Sequence, residues 1–487
     1  RVSDLVQKLD GLPLAIELAA ARLNVLSLDE IADRLSERFS LLRSRGRDGQ
    51  ALLGALNWSW DLLKPWAKAA LSQASLFRGG FTLSAADAII EVGDWQDCPP
   101  MFDILGELAD NSLIRKDLSA DESVRYVMLE SIRAYANDKL NTEEGVAQNL
   151  SGPEASQDAQ QRHAGFFAHM GSSEYLGALD SFQGSGHWVE LFLELDNLVA
   201  AITYGTAESA PACCMAAMKI LGMKGPVSLG VDIATEVLAL PGLSRRMQMQ
   251  IEIERSKCLR ISGRMKEARK VVRETATLPP VDEDTESEVE SAPEATAEIG
   301  AGEEESSPSV TPEANEEREM AILEGDRLLQ LGLLEHSQSN LKKASKHHRA
   351  AIKIYRTHGH KKGEISAQKA LGEFHIQQGS YDEANAHLQN AYEIAVKEGD
   401  RQQLGAILGF MSNVDRAQGR YDKALEMVEQ ALEINRENGN KRGEANNLLN
   451  LAIIHNVRGD SEVCIQTLQE ARKLNKEVGD RGNEAVV

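Results

Sequence analysis

Aromatic residues are scarce in this chain: Phe, Trp and Tyr make up 5% of 487 residues, against 42% hydrophobic residues overall. Its cores must therefore be built largely from Ala and Leu, which favours packed helices over sheets. Cysteine is scarce too. Cys98, Cys213, Cys214, Cys258 and Cys464 show no C-x-x-C spacing. That excludes a zinc ribbon or a disulfide framework and implies a reducing, cytoplasmic compartment. No run approaches the roughly 18 apolar residues that a membrane helix needs. Basic residues are outnumbered, 53 Lys and Arg against 75 Asp and Glu, for a net charge of −22. Such a balance argues against a broad electrostatic footprint on nucleic acid.

Catalytic signatures are missing as well. There is no G-x-x-x-x-G-K-[ST] phosphate loop, and Gly184-Ser185-Gly186 and Gly300-Ala301-Gly302 lack the lysine and strand–helix context of a phosphate cradle. No H-E-x-x-H and no nucleophile elbow occurs. The chain as given is therefore expected to be no enzyme, with no catalytic residue, no metal site and no cofactor of its own. His347-His348 and His358-x-His360 sit among Lys342, Lys343, Lys346, Lys361 and Lys362. A solvated helix surface is the expectation for them.

What the sequence does hold is helical pattern in several blocks, and length alone suggests about three domains. In the first block Gly11-Leu12-Pro13-Leu14 punctuates a bend ahead of an Ala/Leu-rich helix with almost no polar face. Pro13 suits a first helical turn, where its missing N–H has no intrahelical partner. Ser27-Leu28-Asp29-Glu30 reads as a capping box. Helices then follow at 53–63, 66–76 and 102–111, with a further one opening at Ser84. Two strand-like runs, 112–115 and 124–129, are joined by a polar hairpin. Helices followed by a two-stranded wing make a winged-helix pattern. Beyond it, Trp188, Leu191, Phe192, Leu195, Leu198, Val199 and Ile202 form a broad apolar helical stripe.

Residues 279–317 carry 14 acidic residues, five prolines and no Lys or Arg. Such a segment cannot bury enough apolar surface to offset its ordering entropy, so it reads as a disordered spacer.

A 40-residue period follows. Gly379-Ser380-Tyr381-Asp382 recurs as Gly419-Arg420-Tyr421-Asp422 and Gly459-Asp460-Ser461-Glu462. Gly359, Gly399, Gly439 and Gly479 keep the same shift, as do Ala344, Ala384 and Ala424. Two helices per copy at a fixed period of this size imply a stacked solenoid, here 323–362, 363–402, 403–442 and 443–482.

These residues carry a family resemblance. Gly11-Leu12-Pro13-Leu14-Ala15 resembles a segment of the STAND-class regulatory ATPases, the class that includes NB-ARC proteins and their bacterial relatives. Ala55-Leu56-Asn57-Trp58-Ser59-Trp60-Asp61-Leu62-Leu63, Phe77-Arg78-Gly79-Gly80-Phe81-Thr82, Leu108-Ala109-Asp110-Asn111-Ser112-Leu113-Ile114 and Leu129-Glu130-Ser131-Ile132-Arg133-Ala134-Tyr135-Ala136 are similar to successive landmarks of the winged-helix domain of that class. Glu194-Leu195-Asp196-Asn197-Leu198 resembles its helical connector, and the repeats resemble tetratricopeptide repeats in a longer form.

The resemblance implies a mainly α architecture. Residues 1–48 would be a helical domain following a nucleotide-binding domain, 49–142 a winged helix, 160–278 a helical connector with degenerate repeats, 279–317 the disordered acidic linker and 318–487 tetratricopeptide repeats. It implies that Gly11, Leu12, Pro13 and Leu14 lie near a nucleotide. ATP or ADP would be the cofactor of a longer protein whose upstream P-loop domain carries the switch and whose effector domain carries the output. Met128-Leu129-Glu130 matches a Met-His-Asp motif whose His touches phosphate; Leu129 stands at the His position.

The repeats would bind a protein or peptide. By the register of tetratricopeptide arrays the first helix of each repeat lines the groove, which places Lys369, Glu373, Ile376, Gln377, Asn413, Arg416, Ile453 and Asn456 on it. The competing reading is a tetratricopeptide adaptor with no nucleotide involved. The opening on Arg1 and the start of a fifth repeat at Asn483-Glu484-Ala485 lead us to expect a piece of a longer chain.

Overall fold

The computed structural model describes residues 48–118, 123–143, 145–179, 185–275 and 312–480, with Ile16 and Ala20 besides. The segment around Gly11, Leu12, Pro13 and Leu14, residues 279–311 of the acidic linker and the start of a fifth repeat all lie outside them. The described residues are mainly α-helical and fall into two compact units. The first runs to Ala217, Gly177–Ser185 excepted, and the second runs from Met218 onward. The division falls inside the stretch read from the sequence as one connector.

The first unit opens with α1 (Asp48–Leu62), α2 (Pro65–Ala74), α3 (Leu83–Ile89) and α4 (Met101–Asp110). Pro65 starts α2 at a position that needs no donor. Ala67, Ala69, Ala70, Leu71 and Ala74 are all buried, so this small-residue helix is covered nearly all round. Its neighbours are α4 and α5 (Glu130–Asn141). The helix expected to open at Ser84 is instead capped by Thr82, whose backbone is extended and whose Oγ1 accepts from the Ala85 N–H. Ser84 lies two residues past the cap position, inside the first helical turn.

Strands β1 (Arg115–Leu118) and β2 (Val124–Val127) form an antiparallel pair, Arg115 opposite Val127 and Leu118 opposite Val124. The first strand starts later than its apolar residues suggest. Leu113 and Ile114 are buried, but they belong to the turn after α4, where Ser112 takes a φ of 56°. Phe81 bridges Tyr126 through two backbone hydrogen bonds of 2.8 and 3.0 Å, and its ring stacks on Phe77 at 4.3 Å. After α5 come α6 (Pro153–Ala168), α7 (Ser173–Ala178), α8 (Ser185–Leu193) and α9 (Leu195–Tyr204), then α10 (Ala210–Lys224), at which the division falls. Helix α6 packs on α9 and carries His163 and Phe167 to the Phe77 ring.

The second unit continues with α11 (Val227–Leu238), α12 (Arg245–Ile261) and α13 (Met265–Glu274). Four helical hairpins follow: α14 (Pro312–His336) with α15 (Leu341–Thr357), α16 (Lys361–Gln377) with α17 (Tyr381–Glu398), α18 (Arg401–Ala417) with α19 (Tyr421–Glu437), and α20 (Lys441–Arg458) with α21 (Ser461–Val478). Residues 312–317, counted into the linker from composition, instead form the first turns of α14. Proline is tolerated in a first helical turn, where its missing N–H has no intrahelical partner.

The period of 40 has a backbone cause. Gly359, Gly399, Gly439 and Gly479 take φ of 64°, 68°, 62° and 77°, a left-handed conformation that ends each second helix and that side chains resist. Within hairpins, small residues let the two helices approach. Ala344, Ala384 and Ala424 have no exposed surface, and a Cβ on Gly372 would lie 2.7 Å from the Leu388 side chain.

His348 corrects the surface reading of the histidine cluster. Its ring is fully buried where a Cβ on Gly332 would stand, 2.4 Å away. It belongs to the buried stripe Ala344, His348, Ala351, Ile352 and Tyr355 of α15.

Candidate partner-binding groove

The first helices of the hairpins present equivalent positions at a 40-residue shift. Glu373, Asn413 and Ile453 form one such set; Ile376, Arg416 and Asn456 form another. Lys369 lies one turn before Glu373 on α16, and Gln377 one turn after it. On α16 the half-buried residues Lys362, Ser366, Lys369 and Glu373 line up along one side, while Ile365, Ala370 and Phe374 turn into the core.

The structure separates the eight expected groove residues. Lys369 and Glu373 come together. The Lys369 Nζ donates to Gln403 Oε1 at 2.7 Å, and Gln403 Nε2 donates to Ser366 Oγ at 3.4 Å. Burial pulls the Lys369 ammonium down to about 8, with Arg442 acting in the same direction and Asp400 and Glu373 opposing it. Ile376 instead packs into the seam between hairpins, against Ala384, Leu388 and Val414. Asn413 and Arg416 are half-buried on α18, and the Arg416 Nε is enclosed without a hydrogen-bond partner. Gln377, Ile453 and Asn456 are exposed, Ile453 at 41%.

The sequence reading missed what else lies at this surface. Helix α12 has no exposed residue from Arg246 to Ile261, although six of those positions are charged: Arg246, Glu252, Glu254, Arg255, Lys257 and Arg260. Its first half is fixed to α14, where Met249 and Ile253 form a core with Leu323 and Met320, and Arg246 pairs with Glu319. The charged groups of its second half lie in the electrostatic field of several hairpins. Arg260 lies in the field of Arg442, Glu373 and Asp480, and burial with Arg442 lowers it to about 10. Arg442 itself reaches Asp480 at 3.3 Å. Burial lowers Lys257, but Glu254 at 2.6 Å and Asp326 outweigh that and leave it raised overall. Burial opposes ionisation of Glu254; Lys257, Lys219 and Lys362 overcome it, holding the carboxyl below its ordinary value.

Both ends of the array touch this segment. Helix α13 joins α14 through Arg269 and Arg273, which both reach the buried Glu335, while Arg327 donates to the Val272 carbonyl at 3.4 Å. At the other end a Cβ on Gly225 would lie 2.4 Å from the Val478 carbonyl oxygen, and one on Gly479 3.8 Å from Val227 Cγ2. Met249, Ile251, Ile253, Ser256, Cys258, Leu259 and Ile261 are all buried, a spacing that fits no single helical stripe and marks a helix covered on several sides.

A second polar centre, wholly within the first unit, involves the motif Glu194-Leu195-Asp196-Asn197-Leu198. Glu194 and Arg125 form an ion pair buried on both sides. The Arg125 Nη2 donates to the Gly80 carbonyl at 3.0 Å, as does Asn197 Nδ2 at 2.9 Å, and the Arg78 N–H donates to Asn197 Oδ1 at 2.6 Å. The motif at the start of α9 thus reads the Arg78-Gly79-Gly80 turn. Among the described residues, no group of three or more His, Cys, Asp or Glu side chains converges as a metal site would require.

Residues 363–437 match the tetratricopeptide repeat family, and residues 410–483 match the anaphase-promoting complex subunit 5 family. From residue 363 on, helices α16 to α19 fall within the tetratricopeptide match, and the hairpins on either side of them keep the same 40-residue period. Over 207 residues, 42% of its length, the chain is 33% identical to a Mycobacterium tuberculosis protein named as an HTH-type transcriptional regulator. It is 38% identical over 148 residues, 29% of its length, to an uncharacterized protein of the same organism. The chain spans 22% and 36% of the lengths of these two relatives.

Among solved structures it is similar to the Signal Transduction ATPase with Numerous Domains (STAND) protein with a tetratricopeptide repeat sensor from Pyrococcus horikoshii. That likeness covers 98% of this chain and 72% of the other, with 13% identity and a TM-score of 0.41. A Rap protein complexed with competence and sporulation factor is similar over 72% of this chain and 85% of its own, with 14% identity and a TM-score of 0.47. No helix among the described residues is long and apolar enough to cross a membrane.

Proposed function

We propose that this chain is the regulatory and sensor portion of a STAND-type, NB-ARC-like signal-transduction protein of the bacterial kind, acting in the cytoplasm. The repeats bind a protein or peptide partner, and that binding biases an ATP/ADP switch carried by a P-loop domain upstream of Arg1. Gly11, Leu12, Pro13 and Leu14 lie close to the nucleotide in that longer protein, and an effector domain delivers the output. The observation that carries the proposal is the tetratricopeptide array itself, with polar and charged residues rather than a closed apolar core along its first helices. The helices, strand pair and α5 of the first unit serve as a winged helix, and the contact of Glu194 and Asn197 with the Arg78-Gly79-Gly80 turn ties the connector to it. Neither membrane nor direct nucleic-acid contact is part of the proposal. The adaptor reading is favoured by one observation, Leu129 at the position of a phosphate-contacting His.

A display library of extended peptides, screened against the whole chain, tests the partner-binding role. Selected peptides should lose at least tenfold in affinity when Arg416→Ala and Ile453→Asp are combined. A library that yields no binder, or binders indifferent to both substitutions, would contradict the role.

A further inference from the structure

The second helices of the four hairpins expose the same positions at the 40-residue shift, and the charge on those positions reverses along the array. On α15 they carry Lys342, Lys346, Arg349 and Lys353, all exposed. On α17 the equivalents are Asp382, Ala386, Gln389 and Glu393, and on α21 they are Glu462, Gln466, Gln469 and Lys473. On α19 they are Asp422, Glu426, Glu429 and Glu433, again all exposed. A spacing of four, three and four residues keeps each set on one face of its helix. Four cations on one hairpin thus correspond to four carboxylates two hairpins further on.

The fold does not need the basic stripe. No Asp or Glu occurs from Ser337 to Gly363. The ion pairs of this run go from Arg356 and Lys361 to Glu364, and the four stripe residues form none among the described residues. Like charges three and four residues apart weaken a helix, and a cation in the first turn meets the positive end of the helix dipole. Helices α17, α19 and α21 each place an acidic residue where α15 places Lys342. Helix α15 therefore departs from its three equivalents in the direction that costs stability. On α19, Asp422 is held by Arg458, whereas Glu426, Glu429 and Glu433 form no ion pair among the described residues.

We propose that α15 docks on α19 of a second copy of this chain, the cations of one helix lying along the carboxylates of the other. The contact uses the second helices of the hairpins and does not rest on the groove reading above. The order four, three, four reads the same in both directions. In an antiparallel pairing Lys346 lies against Glu429 and Arg349 against Glu426 at the centre. A helix is favoured over an extended acidic segment because the carboxylates of α19 already recur at the period of the cations. The two stripes lie on different hairpins, so the contact is heterologous. Each copy keeps a stripe free for the next, and the assembly closes as a ring or grows as an open chain. Exposed ion pairs are individually weak, so the assembly should be reversible and sensitive to salt.

Sedimentation velocity of the whole chain, from about 1 to about 300 μM, reads the contact. At about 0.1 M salt the net charge of −22 is screened beyond roughly 10 Å, while groups in contact still attract. There the wild type should shift to larger species as concentration rises, and at about 1 M salt it should return to monomer. Lys346→Glu with Arg349→Glu should weaken association at least tenfold, and so should Glu426→Lys with Glu429→Lys. All four positions are exposed, so both variants should keep the circular dichroism of the wild type. Mixed together, the two variants should associate as the wild type does, because the central pairs are restored with their signs exchanged. A wild type that stays monomeric throughout would overturn the proposal, as would association that ignores both variants or a mixture that restores nothing. Loss in the α15 variant alone, with the α19 variant associating normally, would give α15 another acidic partner and overturn its pairing with α19.

Discussion

Arg125 on β2 and Glu194 at the junction of α8 and α9 form an ion pair with about 5% of either residue exposed, 69 positions apart in sequence. Removing one partner leaves the other charge buried and alone, which typically costs about 3–5 kcal/mol. Glu194→Ala should therefore destabilise the first unit by that order, and Arg125→Met with Glu194→Leu should recover most of the loss. Gly80→Ala should cost upward of about 1 kcal/mol by strain alone, since Gly80 has a φ of 97° and its Cβ would lie 3.1 Å from the Tyr126 carbonyl oxygen. All five tryptophans precede residue 189, so urea unfolding followed by Trp fluorescence reports this unit. A Glu194→Ala midpoint equal to wild type would show that the pair does not couple the two elements.

Acid should weaken both units through buried histidines. Burial lowers His163 and His348 from 6.5 to about 3. A depressed folded-state value means that the unfolded chain takes up protons first. Each histidine's contribution is thus intact above pH 6.5 and is lost as pH falls from 6.5 toward 3, at roughly 1.4 kcal/mol per pH unit. His348→Phe keeps a ring against Gly332 and removes one titration. It should flatten the acid slope seen by circular dichroism and leave the fluorescence slope, which reports His163, unchanged. Identical slopes in variant and wild type would remove His348 from the account.

The chain as given should not turn over ATP. It carries no G-x-x-x-x-G-K-[ST] sequence, and so lacks the backbone cradle, lysine and Mg²⁺-binding hydroxyl that stabilise a transferring phosphoryl group. Phosphate release by purified protein should equal that of a heat-killed control. Steady release above it would contradict the placing of the switch upstream.

The repeats were legible in sequence because their geometry is local. A left-handed glycine at 359, 399, 439 and 479 ends a helix wherever the chain folds, and the alanines at 344, 384 and 424 mark helix crossings four turns or fewer from a hairpin bend. The strand at 112–115 was misplaced because Leu113 and Ile114 are apolar for burial in a turn, and composition alone does not distinguish that from a strand. His348 was misread because the adjacent lysines suggest solvent, while the cause of its burial is the missing side chain of Gly332 on another helix. The electrostatic surroundings of α12 were not legible. The charges of Glu373, Arg442 and Asp480 that act on Arg260 lie more than 100 residues downstream, and no helical period reports on groups of that separation.

The central claim is that the first helices of the repeats form the partner site. Hydrogen exchange of the wild-type chain, with and without a saturating groove-binding peptide from the display selection, tests this most directly. Exchange over α16, α18 and α20 should slow at least tenfold on binding, while α1 to α5 of the first unit exchange as before. Binding that leaves α16, α18 and α20 exchanging as in the free chain would contradict it.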